Sequence, residues 1–184
     1  HLPIPGYLVP PSIDPLSDKN RELDADELDR LLAPFGLPAR TPWITQISRF
    51  DRLKDPVGVV EAFRQARSAV AGHLILAGGT ADDDPEGLEV LGEVRAAAGG
   101  AGDVSILVLP SDAHLTINAL QRRSTVVVQK SLREGFALTV SEALWKRRAV
   151  IGGAVGGIPL QLRHDRTGVL VRTIEGCAWQ ITRL

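Results

Sequence analysis

The chain has 184 residues, enough to bury one substantial core, so a single domain of ordinary size is the first expectation. Its 21 basic residues nearly balance 22 acidic ones, leaving a formal net charge of −1 and no global field that would favour nucleic acid or an anionic membrane, so any anion site must be local. A single cysteine, Cys177, excludes an internal disulfide framework and suits a reducing cytoplasm, and no apolar run reaches the ~18 residues that mark a membrane span.

The chain begins "HLPIPGYLVPP" and contains no methionine, which we take as the mark of a piece of a longer protein. The stretch through "PPSIDPLSDKN" is rich in proline and turn formers and is expected to run extended over the surface. In "LDADELDRLLAPFG", Leu23, Leu28, Leu31 and Leu32 recur near helical spacing with acids in the first turn, while Pro34 and Gly36 close the segment. Residues 1–40 therefore form a connector with a short helix, and 41–184 form the domain proper. From Trp43 onward, the apolar runs "WITQIS", "HLILAGG", "DVSILVLP", "TVVVQK", "AVIGGA" and "TGVLVR" alternate with "PVGVVEAFRQARSAV", "EGLEVLGEVRAAAG", "LTINALQRRS" and "LTVSEALWKRR", which are apolar at i, i+3 and i+4. This alternation predicts an α/β fold: a Rossmann-like parallel sheet with helices on both faces.

Such sheets bind ligands beyond the carboxyl ends of their strands, so the residues directly after each apolar run carry the interest. They are "RFDRLKDP", with Arg49, Arg52 and Lys54 in six residues; Gly78 and Gly79; "PSDAH"; "KSLREGF"; and "AVGGIP". On one sheet edge these would gather cations, glycines and carboxylates, a set suited to a diphosphate and a sugar. The bland alternative for the cations is a solvated basic turn. "GGAVGG" lacks the Gly-Lys-Ser/Thr ending of a P-loop, and no Gly-x-Gly-x-x-Gly fingerprint follows the first strand, which disfavours a phosphate-loop NTPase or a dinucleotide enzyme. Gly152 and Gly153 are expected in a tight strand-to-helix turn, and Gly156 and Gly157 before a short helix facing the cleft. His73 begins a strand, and His114 and His164 fall in polar loops without a partner at metal spacing, so no metal is expected. The acids Asp82 to Asp84 fit helix capping, and Trp145 fits the core.

Two glutamates remain. Thr139-Val-Ser-Glu142 has the form of a capping box, which would tie Glu142 to the Thr139 N–H. If the helix instead begins nearer Phe136, Glu142 lies inside it, Glu134 lies on the preceding loop, and a positive helix N-terminus separates them. Two carboxylates flanking one bond, about 5 Å or 6.5–9.5 Å apart, would suit a glycoside hydrolase. Arg49 and Lys54 favour a charged leaving group instead.

"SRFDRLKDP", "EGFALTVSEALWK" and "GGIPLQL", in that order, resemble the nucleotide-binding half of the retaining glycosyltransferases of family 4, which have the two-domain GT-B fold. Adding "PPSIDPLSDKN", "ADDDPEG" and "QKSLREG", the pattern is most similar to that family's glycosyltransferring trehalose synthases, over about Pro10 to Arg172. The resemblance implies that Arg49 and Lys54 hold the donor diphosphate, and that Glu134 stands near the donor sugar. It implies further that the backbone of Gly135, Phe136, Ala137, Leu138 and Thr139 cradles sugar and phosphate, that Glu142 binds ribose, and that Leu109 meets the base. Ala137 departs from the pattern, since glycine is frequent there. The implied partners are a nucleotide-sugar donor, a sugar acceptor and an N-terminal domain outside this chain, with a homodimer left open and no cofactor. The implied reaction moves glucose from a nucleoside diphosphate glucose to glucose, forming trehalose. The rivals are a trehalose phosphorylase using glucose 1-phosphate, a family-4 enzyme with another acceptor, and a non-catalytic sensor of the same fold.

Overall fold

A computed structural model describes residues 7, 9–79 and 85–183. All six apolar runs form strands: β1 (Trp43–Ile47), β2 (His73–Gly78), β3 (Val104–Val108), β4 (Val126–Gln129), β5 (Ala149–Gly153) and β6 (Val169–Val171). They pair in parallel in the order β3-β2-β1-β4-β5-β6, with Trp43 opposite His73 and Ile44 opposite Val126 fixing the central register. Strands β1, β2 and β4 are buried throughout, the burial that near-continuous Val, Ile and Leu demand when both faces are covered.

The helices are α1 (Ala25–Leu32), α2 (Pro56–Ala66), α3 (Pro85–Ala98), α4 (His114–Arg123), α5 (Leu138–Trp145), α6 (Ile158–Gln161) and α7 (Ile174–Arg183). On one face Ile44, Leu74, Leu76, Val126 and Val128 pack against Val59 and Phe63 of α2, Val90 and Val94 of α3 and Ile181 of α7. On the other, Ile47 and Ile75 meet Leu32 and Leu120 of α1 and α4, while Val127 and Val150 meet Val140 of α5 and Ile158 of α6. Local chemistry sets the ends. Asp24 caps α1 by accepting from the Glu27 N–H at 2.8 Å, and Gly36, left-handed at φ 58°, ends the turn that follows it.

Ahead of α1, residues 14–23 are pinned to the domain. Fully buried Asn118 donates through Nδ2 to the carbonyls of Asp18 at 2.9 Å and Arg21 at 2.8 Å, and accepts from Arg122 Nε at 3.0 Å. Lys146 Nζ donates to Asn20 Oδ1 at 2.9 Å. Burial presses the Lys146 ammonium down to about 8.

Three expectations change. Gly152 and Gly153 lie within β5 rather than in a turn, because they continue its pairing with β4 and β6; glycine at 152 leaves room for Ile158 and Leu162, which a Cβ would meet at 2.6 and 2.7 Å. Trp145 is half exposed at the end of α5, its indole N–H donating to Asn20 O at 3.3 Å instead of entering the core. His114 opens α4 rather than lying in a loop. The capping expected of Asp82 to Asp84 lies outside the described residues.

Strand order reverses between β1 and β4, whose connections leave toward opposite sides of the sheet. In sheets of this kind ligands bind beyond the carboxyl edge at that point.

Candidate active site

The loops after β1 and β4 meet beyond this edge. Lys54 Nζ lies 2.6 Å from Glu134 Oε2, joining residues eighty positions apart, with side chains 21% and 9% exposed. Below them the Leu132 N–H donates to Leu53 O at 2.8 Å, so backbone as well as side chains tie the loops together. The Glu134 carboxylate also accepts from Ser131 Oγ at 3.2 Å and from the Gly135 N–H at 3.0 Å, and Ser131 Oγ receives Gln129 Nε2 at 3.0 Å. Glu134 is thereby held by an ammonium, a hydroxyl and a backbone donor, the satisfaction a nearly buried carboxylate requires.

Arg49 stands on the same loop as Lys54, its side chain 64% exposed and its only described ion pair a long 3.5 Å contact with Asp51 Oδ2. An exposed pair of that length contributes little, so the guanidinium is free to turn to an incoming anion. Arg52, the third cation of the cluster, points away to Glu89 and Glu93, both at 2.9 Å.

After Glu134 the chain turns into α5 through Ala137, which adopts a left-handed conformation at φ 67°. No side chain caps α5, so its first N–H groups, from Leu138 and Thr139, have no acceptor within the helix. The helix start also decides between the two readings of Glu142. Because α5 begins at Leu138, Thr139 is its second residue rather than its cap, and the capping box does not form. Thr139 Oγ1 lies 3.5 Å from Ile47 O, and Glu142, 7% exposed, receives Gln121 Nε2 of α4 at 3.3 Å. The glutamates are thus not a reactive pair: one is clamped at the loop, the other buried between α5 and α4.

The Glycosyl transferases group 1 family profile matches residues 29–184. The chain belongs to this family. It is 42% identical to the trehalose synthase of Rubrobacter xylanophilus across 98% of this chain and 44% of that protein. With the trehalose synthase of Pyrococcus horikoshii it shares 46% identity across 91% of this chain and 41% of that protein. The trehalose phosphorylase of Pleurotus pulmonarius is 33% identical over 72% of this chain and 20% of that protein. Among solved structures, sucrose-phosphate synthase from Thermosynechococcus elongatus superposes with a TM-score of 0.71 at 29% identity, covering 83% of this chain and 38% of that one. The six-stranded parallel sheet is that of one half of a GT-B glycosyltransferase. The chain spans under half the length of the curated relatives it matches.

In this member of the group 1 family the remaining expected residues fall around the same edge. Leu109 follows β3 and is buried, and its N–H donates to Gly78 O at 2.9 Å. Gly135 is exposed, and its carbonyl accepts from the Gly157 N–H at 2.7 Å. Gln161 of α6 donates through Nε2 to Phe136 O and, at 3.4 Å, to Ala137 O.

Sequence reasoning gave these supports no role. Gly156 and Gly157 were expected to precede a short helix, and they do, yet their function is contact: a Cβ at Gly156 would stand 1.8 Å from Glu134 O, and one at Gly157 2.7 Å from Gly135 O. Two adjacent glycines let the α6 turn press backbone to backbone against the Glu134 loop. The doublet itself was the available signal, but its target lies some twenty residues earlier and becomes adjacent only through the pairing of β4 with β5. No group of three His, Cys, Asp or Glu side chains that could hold a metal occurs among the described residues.

Proposed function

We propose that this chain is the donor-binding part of a retaining glycosyltransferase that moves glucose from a nucleoside diphosphate glucose to glucose, forming trehalose. The observation that carries the reading is the Lys54–Glu134 contact across the sheet's switch point, beside exposed Arg49 and the uncapped start of α5. Lys54 and Arg49 would take the donor diphosphate, and the α5 N–H groups its remaining oxygens, which offsets negative charge as the bond to the sugar breaks. Glu134, fixed by three donors, would accept from sugar hydroxyls, and Glu142 from ribose. The 42–46% identity to two trehalose synthases supports this choice of sugar and acceptor.

In the full-length enzyme, Arg49→Ala and Lys54→Ala should each lower turnover by roughly 10²–10³-fold, the usual loss when one well-aimed donor to a developing charge is removed. Normal turnover in both variants sinks the assignment. Product analysis with uridine, adenosine and guanosine diphosphate glucose as donors and glucose as acceptor identifies base and product together.

A phosphorylase reading is favoured by the 33% identity to the Pleurotus enzyme. Inhibition by inorganic phosphate rather than by nucleoside diphosphate would decide for it.

A further inference from the structure

Lys130 is the first residue beyond β4 and is buried. Its ammonium pairs with the Asp55 carboxylate. Asp55 directly follows Lys54 and sits in the left-handed region at φ 53°, a conformation that costs a non-glycine residue about 1 kcal/mol or more. Its carboxylate also caps α2, accepting from the Gly58 N–H at 3.2 Å, and a side chain at Gly58 would collide with it at 2.4 Å. The Lys54 carbonyl, in the peptide that leads into Asp55, receives Gln46 Nε2 from β1 at 2.7 Å. Buried side chains therefore hold the backbone directly after the Lys54 Cα, while its own ammonium reaches Glu134.

A lysine side chain is long and loses much rotamer freedom when it must hold one point in space. A displaced Cα would pass directly to Nζ. The Asp55 carboxylate is mostly shielded from solvent, so without Lys130 it keeps only a backbone N–H and the α2 dipole against the cost of burying its charge.

We propose that Lys130 is a positioning residue for Lys54, acting through the Asp55 carboxylate: it locks the left-handed turn that sets where the Lys54 ammonium stands. This rests on the role given to Lys54 above. Among the described residues the ion pair given for Lys130 is with Asp55, so it acts on the cation rather than on the ligand.

The test is a double-mutant cycle on turnover in the full-length enzyme. Lys130→Met should lower kcat roughly 10- to 100-fold, as a misplacement of about 1 Å does, with donor KM changed little. Lys130→Arg should restore part of the loss. Lys54→Ala combined with Lys130→Met should be no slower than Lys54→Ala alone; additive losses, or a Lys130→Met enzyme at wild-type rate, overturn the proposal. If Lys130→Met fails to fold, Lys130→Arg carries the same cycle.

A readout independent of activity separates this inference from the functional reading. The chain has four lysines, Lys19, Lys54, Lys130 and Lys146, so the NMR signals of its ¹³C-methylated lysines can be assigned by single substitution. In Lys130→Met the Lys54 signal should move toward its position in Glu134→Gln. An unmoved signal overturns the clamp even if Lys54 proves catalytic. A moved signal alongside a fully active Lys54→Ala enzyme sustains the clamp and sinks the role of Lys54.

Discussion

Gly156→Ala tests whether the α6 turn holds the glutamate loop. The new methyl would stand 1.8 Å from the Glu134 carbonyl oxygen, and the residue's φ is +53°. The left-handed backbone alone costs alanine about 1 kcal/mol. Relieving the overlap forces one backbone segment off the other, for which overpacking typically costs 1–3 kcal/mol more. If the segments part, the 2.7 Å bond from the Gly157 N–H to Gly135 O goes with them, worth about 1 kcal/mol. The expected loss is about 3–5 kcal/mol, a large share of the 5–15 kcal/mol by which a domain is stable. Urea unfolding followed by far-UV circular dichroism measures it, and for a chain of this size the melting temperature should fall by roughly 10 °C. Affinity for nucleoside diphosphate, measured calorimetrically on the same variant, should fall as well, since Glu134 and the start of α5 move with the loop. Gly92→Ala is the control: it lies exposed within α3 with open space around the added methyl, and should stabilise by about 0.5–1 kcal/mol. A Gly156→Ala chain within about 1 kcal/mol of wild type would refute the reasoning.

Ala137→Gly should stabilise the chain by about 0.5–1 kcal/mol, because relief of the left-handed strain at φ 67° outweighs the extra backbone entropy of glycine; denaturant midpoints check it, and a destabilised variant contradicts it. Lys146 gives a pH test. Its folded ammonium titrates near 8 against an ordinary 10.5, so between these values the unfolded chain binds more protons and stability rises with pH. The rise is up to about 3 kcal/mol, complete near pH 10.5, while below pH 8 both states carry the proton and the contribution is flat. Lys146→Met should remove that rise, so the difference between wild-type and variant unfolding free energies must change between pH 7.5 and 10; parallel profiles would rule out the burial argument.

How much of this was visible in the residues differs from element to element. The central strands β1, β2 and β4 were legible because parallel strands buried on both faces need near-continuous apolar runs, and "HLILAGG" or "TVVVQK" can satisfy little else. The helix at 25–32 was legible from Asp24 and Gly36, whose cap and left-handed turn are local events. Trp145 misled because helical periodicity does not say what covers a helix end, and there it is the 14–23 segment. The capping box misled because Thr139-x-x-Glu142 is a local pattern, whereas the start of α5 is set by the turn at Ala137, itself held by Gln161 from α6.

The sequence by itself determined the parallel α/β class and named the cations and carboxylates along one edge, because alternation and strand-end chemistry depend on near neighbours. Only the tertiary structure decided which of them act together. Lys54 meets Glu134 because β1 pairs with β4, Gly156 meets Glu134 because β4 pairs with β5, and Lys130 meets Asp55 through the same juxtaposition. Each contact joins positions twenty to eighty residues apart, and its partner is fixed by strand order, which no local pattern encodes.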